Sequence, residues 1–332
     1  MHNKSIKGFT GWGQVGILLV FLALGLVLAG GLQLLIGMQL LPPGTPTADM
    51  GEAMLKALMD PKNVAMARLS QVLGTLFLLF VPAVLYSLVV NGRNKFWLGF
   101  NPWFNGWQIV VGFFIILVAN LLASPLADLT KSVVANFPNF NTYAKNLEDL
   151  YNQQVLALSN LKSWPEYILA IFIMAFFPAL FEEIFFRGAM QNLLEKWWKQ
   201  PLAAIIVTSL VFSLIHFSVY LFLSRAVLGF ILGLLYYKTK NIWVNIVAHF
   251  LNNAIAVSQL FYLSGRNEKL EVDKLDPQVP WWLACIAVVV LSFLFKLLQR
   301  ISAPMQARVA AKEQLLLAEA DPFHSFATNV NG

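Results

Sequence analysis

The chain has 332 residues, of which 58% are hydrophobic and only 12% are charged. Soluble domains carry about 25% charged residues, so this composition excludes an ordinary soluble protein and indicates a polytopic membrane protein. The formal net charge is +6, but no basic patch interleaved with aromatic residues occurs, which argues against nucleic-acid binding. One cysteine, Cys285, excludes an intrachain disulfide and a cysteine-rich metal site.

The first half of the chain contains three long apolar runs. They extend over about 15–41, 69–90 and 107–126. A bilayer crossing by a helix needs about 20 apolar residues, so each run predicts one transmembrane helix. The first run exceeds the ~7–15 apolar residues of a signal peptide, which favours a retained span.

A polar connection over residues 128–164 follows the third run. Its apolar residues recur mostly at spacings of three and four, the helical period: Phe140, Tyr143, Leu147, Leu150, Tyr151, Val155 and Leu158. The segment is too polar to span a membrane, so the pattern predicts an interfacial amphipathic helix. A packing strap is the favoured role for this helix, and a substrate gate is the alternative.

The second half contains five further apolar runs. The fourth run begins near Trp164 and continues to Trp198 unless Gly188 breaks it, and Pro178 is expected to kink it because proline lacks an N–H. The other runs extend over about 202–217, 222–237, 242–263 and 280–298. The alanine-rich tail beyond residue 301 is expected to be helical to about residue 320 and then disordered.

These runs predict an all-α polytopic membrane protein with about eight transmembrane helices. The expected organisation is a transmembrane domain over residues 1–300 and a cytoplasmic tail over residues 301–332. Eight spans place both termini on one side, where the short segments are rich in Lys and Arg and poor in acids. The positive-inside rule therefore predicts cytoplasmic termini. The expected location is the cell (inner) membrane.

Ionisable residues inside the apolar runs are candidates for function, because a charge within a bilayer is costly. The candidates are Glu182, Glu183 and Arg187 in the fourth run, His216 in the fifth and His249 in the seventh. The remaining histidines, His2 and His324, lie in the terminal segments and are expected to be solvated. Arg225 is close to the outer end of the sixth run and is interpreted as reaching the membrane interface.

Helical spacing separates the roles of the candidates. Residues four apart share one face of a helix, whereas neighbours diverge by about 100°. Glu183 and Arg187 are therefore expected to pair within their own helix, which leaves Glu182 directed elsewhere. His249 and Asn253 are also four apart, so both are expected to lie on one face of the seventh span.

These residue types suit the hydrolysis of a carbonyl compound, for which a peptide bond is the favoured substrate. A carboxylate beside a neutral imidazole can activate a water molecule, and a second imidazole with an amide can stabilise an oxyanion. Two histidines with one or two glutamates can also bind zinc, although the His-Glu-x-x-His signature is absent from the sequence. A proton-coupled transporter and a non-catalytic immunity or scaffold protein are the alternatives from other classes.

Three motifs on separate runs carry a family resemblance: Glu182-Glu183-x-x-x-Arg187, Phe212-x-x-x-His216 and His249-x-x-x-Asn253. They resemble the motifs of the CAAX protease and bacteriocin-processing family, also called the CPBP or Abi family, which includes the type II CAAX prenyl endopeptidases. The resemblance covers about residues 165–260.

The resemblance implies an intramembrane endopeptidase of the glutamate type, in which Glu182 activates water together with His216. It further implies that His249 and Asn253 stabilise the oxyanion. The partners it implies are the lipid bilayer and a protein or peptide substrate that is membrane-associated or lipidated.

The other two motif residues, Glu183 and Arg187, are implied to shape the site. The resemblance implies no cofactor, and a zinc-dependent version of the same protease is the alternative. Relatives in the family differ in substrate, so the resemblance does not identify the physiological one.

Overall fold

The structure is a computed structural model that describes residues 4–159, 161, 163–264 and 278–320. Every regular element within these residues is helical, which confirms the all-α class. Seven helical stretches in this part of the chain are long and apolar enough to cross a membrane. The protein is therefore a polytopic membrane protein, as the composition indicated. His2 and His324 lie outside the described residues.

The helices are labelled here in chain order. The first half contains α1 (Gly11–Leu40), α2 (Met50–Met59), α3 (Pro61–Asn91), α4 (Gly106–Asn120), α5 (Ala123–Ala135) and α6 (Pro138–Leu158). The second half contains α7 (Trp164–Trp198), α8 (Pro201–Leu214), α9 (Phe222–Thr239), α10 (Ile242–Ser264) and α11 (Trp281–Glu319).

The predicted fifth span is shorter than expected. Its helix, α8, has 14 residues, fewer than the ~20 that a full crossing needs, and it ends at Leu214. Phe217 has a φ of 51°, in the left-handed region, which is incompatible with continuing the helix. His216 was expected inside this span, but it lies in the turn that follows α8.

α7 is continuous from Trp164 to Trp198 despite its proline and its glycine. A π-helical stretch, Ile171–Phe176, precedes Pro178, and such stretches recur at functional sites. A Cβ atom at Gly188 would lie 2.8 Å from the carbonyl oxygen of Leu98. Gly188 therefore does not break the helix; instead it lets a neighbouring turn pack directly against it.

The predicted amphipathic helix is present as α6. Its exposed residues include Phe140 and Tyr143, whereas Ala144 and Glu148 are buried. The segment before α6 differs from the prediction. The helix of the third apolar run, α4, ends at Asn120, and a separate helix, α5, extends into the polar connection.

Two large apolar clusters lie within the bundle. One joins α4, α9, α10 and α11 through residues such as Ile115, Leu235 and Leu291. The other joins α1, α3 and α7 through residues such as Leu18 and Phe186, and it also includes Phe212 of α8. The candidate residues of α7 thus lie where α8, α9 and α10 approach it.

α11 crosses the predicted boundary at residue 300 without a break. Ser302 accepts a hydrogen bond from Gln108 at 2.9 Å, and Gln306 donates one to the carbonyl of Lys238 at 2.8 Å. The expected helix in the tail is confirmed to Glu319. The division into two units stays a prediction, and the expected disorder beyond residue 320 falls outside the described residues.

Candidate active site

Glu183 and Arg187 form an ion pair inside α7. Nη1 of Arg187 donates to Oε1 of Glu183 at 2.7 Å, and both side chains are fully buried. Nη2 of Arg187 donates to the carbonyl of Gly229 at 2.9 Å, and its guanidinium lies 5.0 Å from the ring centre of Phe212. The pairing expected from the four-residue spacing is confirmed, and it links α7 to α8 and α9.

Glu183 also joins α7 to α10. Its Oε2 accepts a hydrogen bond from Nδ2 of Asn245 at 3.1 Å, and its Oε1 lies 2.8 Å from Nδ1 of His249. A carboxylate oxygen only accepts, so Nδ1 of His249 carries the proton in this contact. Both oxygens of Glu183 are therefore engaged by protein groups.

Asn245 is a site residue that the sequence reasoning did not identify. It is fully buried, and its Nδ2 also donates to the carbonyl of Leu232 at 2.7 Å. A signal was present, because Asn245, His249 and Asn253 succeed one another at intervals of four residues. That interval places all three on one face of α10.

Glu182 differs from its neighbour in having no hydrogen-bond donor among the described residues. It is 8% exposed, and the ion-pair contact nearest to it joins its Oε2 to Nε2 of His249 at 3.8 Å. That separation is too long for a hydrogen bond. The carboxyl group of Glu182 is thus buried and available to a water molecule or a substrate.

His216 is oriented by the end of its own helix. Its Nδ1 lies 2.7 Å from the carbonyl oxygen of Phe212, and its ring packs 4.8 Å from the ring of Phe212. A carbonyl only accepts, so Nδ1 is the protonated nitrogen and Nε2 of the neutral ring carries a lone pair. Within the described residues no carboxylate lies within 4.0 Å of His216, so His249 rather than His216 contacts Glu182.

Asn253 lies one turn beyond His249 on α10 and is half-buried. Its Oδ1 accepts a long hydrogen bond of 3.4 Å from Asn252, and Asn252 in turn accepts one from Asn120 of α4 at 2.7 Å. No hydrogen bond in the described part of the chain joins Asn253 to the other motif residues. Its Nδ2 donor is therefore open to an acceptor from outside.

Helix α6 holds the turn that carries His216. The buried carboxylate of Glu148 accepts a hydrogen bond from Oγ of Ser218 at 2.6 Å. The hydroxyl of Tyr220 donates to Oδ1 of Asn141 at 2.6 Å. These contacts are of the kind that a packing strap makes, and they were not visible in the sequence because 70 or more residues separate the partners.

The donor atoms of the candidate zinc ligands do not converge. No group of three or more His, Cys, Asp or Glu side chains in the described residues is arranged to hold a metal ion. Nδ1 of His249 is occupied by Glu183, and Nδ1 of His216 by a backbone carbonyl. Zinc coordination by these residues would need a rearrangement of this site.

Comparison with known proteins supports the resemblance. Residues 164–255 match the family described as "Type II CAAX prenyl endopeptidase Rce1-like". This segment extends from the start of α7 into α10 and contains all three motifs, so the resemblance stated from them is confirmed for this part of the chain.

A curated relative matches a similar share of the chain. The chain is 30% identical over 112 residues to the "Uncharacterized protein YpbD" of Bacillus subtilis (strain 168). The alignment covers 32% of this chain and 52% of the relative, so the chain spans about half the length of that relative. No solved structure matches the chain.

Proposed function

We propose that this chain is an intramembrane endopeptidase that hydrolyses a peptide bond in a membrane-associated or lipidated protein. The observation that carries the proposal is the difference between two adjacent acids. Glu183 is saturated by protein donors, whereas Glu182 is buried, accepts no hydrogen bond from the described residues and lies beside His249. Burying a carboxylate without a structural partner is costly, so such a group within a membrane-spanning helix is a candidate for function.

In the proposed reaction Glu182 accepts a proton from a water molecule. The resulting hydroxide attacks the carbonyl carbon of the peptide bond and forms a tetrahedral intermediate. The carbon–nitrogen bond then breaks as the proton passes from Glu182 to the leaving amine. The lone pair on Nε2 of His216 gives the same water a second acceptor, which helps to orient it.

The proposed oxyanion donors lie on α10. His249, when protonated on Nε2, donates from a ring that Glu183 holds in place, and Asn253 donates from its open Nδ2. Donors held in place before the reaction stabilise the developing negative charge without the cost of reorientation. Glu183, Arg187 and Asn245 act in this scheme by positioning the groups that contact substrate.

The test is cleavage by the purified full-length protein in liposomes. The substrate is a fluorogenic peptide fused to a membrane-inserting segment, compared with the same peptide carrying a prenyl group. We propose a mechanism without a metal cofactor, so chelators should leave the rate unchanged. Loss of cleavage on chelation with recovery on adding zinc would establish the zinc-dependent alternative, and proton-driven transport without cleavage would establish the transporter.

We expect the contact between Glu148 and Ser218 to support the rate. Removing it by Glu148→Ala should free the His216 turn and lower kcat by roughly 10- to 100-fold, because small misplacements of a reacting group are costly. Ser218→Ala should have the same effect, and the double variant should be no worse than either single one. Asp149→Ala, at an exposed neighbouring position, is the matched control. Additive losses would contradict a shared contact.

A further inference from the structure

Arg225 of α9 has no acceptor among the described residues. Its guanidinium donates no hydrogen bond and forms no ion pair there, and its Nη1 is buried. The guanidinium carbon lies 4.6 Å from the ring centre of Tyr151 on α6, a cation–π contact that holds the group in place. The sequence analysis interpreted Arg225 as reaching the membrane interface, where its terminal nitrogens would be exposed. The buried Nη1 does not fit that interpretation.

Helix geometry places Arg225 at the level of the candidate site. Gly229, four residues later on α9, is the residue whose carbonyl accepts from Arg187, so this face of α9 is directed towards the site. Gly229 also packs against Phe212, because a Cβ atom added at Gly229 would lie only 3.1 Å from that ring. Arg225 lies one turn, about 6 Å, outward from Gly229, and His216 lies one turn outward from Phe212.

The charge of Arg225 reaches the reacting groups. It interacts electrostatically with both Glu182 and His216. The buried acid on the facing helix, Glu148, forms no ion pair with Arg225 and accepts a hydrogen bond from Ser218 instead. Among the described residues, no carboxylate therefore lies within ion-pair distance of the Arg225 guanidinium.

A carboxylate is the ligand that best fits an unpaired guanidinium. The planar fork of arginine matches the two oxygens of a carboxylate, and such charge-assisted pairs are among the strongest hydrogen bonds in proteins. A peptide can supply a carboxylate from its C-terminus or from an Asp or Glu side chain. Because Arg225 lies one helical turn from Gly229 at the site, a carboxylate bound to it would lie close to the bond to be cleaved.

We propose that Arg225 is a specificity-determining residue that binds a carboxylate of the peptide substrate close to the scissile bond. The proposal rests on the proposed peptidase function. Tyr151 positions the guanidinium and belongs to α6, so the interfacial helix contributes to substrate selection as well as to packing.

The test is a binding measurement that does not require cleavage. Full-length Glu182→Gln protein in detergent is titrated with a fluorescent lipid-anchored peptide that ends in a free carboxylate, with its C-terminal amide, and with the amide carrying one glutamate near the C-terminus. The free acid or the glutamate peptide should bind at least about tenfold more tightly than the plain amide. Which of the two binds identifies the source of the carboxylate.

Variants assign the preference to Arg225. Added to the Glu182→Gln background, Arg225→Gln should abolish it, and Arg225→Lys should retain part of it, because lysine keeps the charge but loses the fork. Arg308→Gln, at an exposed position on α11, should leave it unchanged. Equal affinity for all three peptides, including no binding of any, or a preference that survives Arg225→Gln in protein that elutes as a folded species, would overturn the proposal.

The outcomes separate this inference from the proposed function. If the protein prefers a carboxylate in a way that depends on Arg225 but cleaves no peptide, the proposed peptidase function is wrong and the carboxylate site is supported. If the protein cleaves peptides with and without the carboxylate equally well, the peptidase function is supported and the carboxylate site at Arg225 is wrong.

Discussion

Glu182→Gln is expected to lower kcat for peptide cleavage by about 10²- to 10⁴-fold, the usual contribution of a general base. Glutamine keeps the size of the side chain but cannot take a proton from water. The stability of the fold should change little, because Glu182 accepts no hydrogen bond from the described residues. The measurements are single-turnover cleavage in liposomes and denaturant unfolding followed by the fluorescence of the ten tryptophans.

Full activity in this variant would remove Glu182 from the mechanism. A loss of activity accompanied by a large loss of stability would instead show that the carboxylate is structural. The substitution is informative because the adjacent residue provides a control of identical chemistry.

Glu183→Gln is expected to destabilise the fold strongly, in contrast to Glu182→Gln. Glu183 is fully buried and contacts Arg187, Asn245 and His249. Replacing it with a neutral amide leaves Arg187 as an uncompensated buried charge, and breaking such a pair typically costs about 3–5 kcal/mol in the free energy of unfolding. Activity should fall as well, because His249 loses the group that orients it.

The control for this prediction is an exposed pair. Glu52 and Lys56 lie 2.6 Å apart, with side chains that are 73% and 75% exposed, so Glu52→Gln should leave the free energy of unfolding nearly unchanged. If Glu183→Gln is as stable as this control, the buried pair does not hold α7 against α10. Together, the substitutions at Glu182 and Glu183 test whether Glu182 acts in the reaction and Glu183 stabilises the fold.

The arrangement around Phe212 explains why several motif residues act together. Its ring lies 4.8 Å from the ring of His216, 6.1 Å from that of His249 and 5.0 Å from the guanidinium of Arg187. Its carbonyl also accepts from His216. One aromatic residue thus packs against groups from α7, α10 and the turn after α8, next to the fully buried ion pair of Glu183 and Arg187.

Sequence patterns by themselves determined the helical membrane class, the approximate bounds of the apolar runs and the pairing of Glu183 with Arg187. These features depend on hydrophobic length and on the fixed pitch of a helix, which act over a few neighbouring residues. The same local reasoning separated Glu182 from its neighbour.

Only the tertiary structure decided that His249 is the imidazole beside Glu182 and that Asn245 completes the buried cluster. It also showed that Arg225 has no acceptor among the described residues. It also placed His216 in a turn beyond α8 and brought α6 against that turn. These features depend on how α6 to α10 pack, and the contacts join residues tens of positions apart. Periodicity within one helix cannot predict which neighbouring helix a side chain will meet, because that choice is made by the packing of the whole bundle.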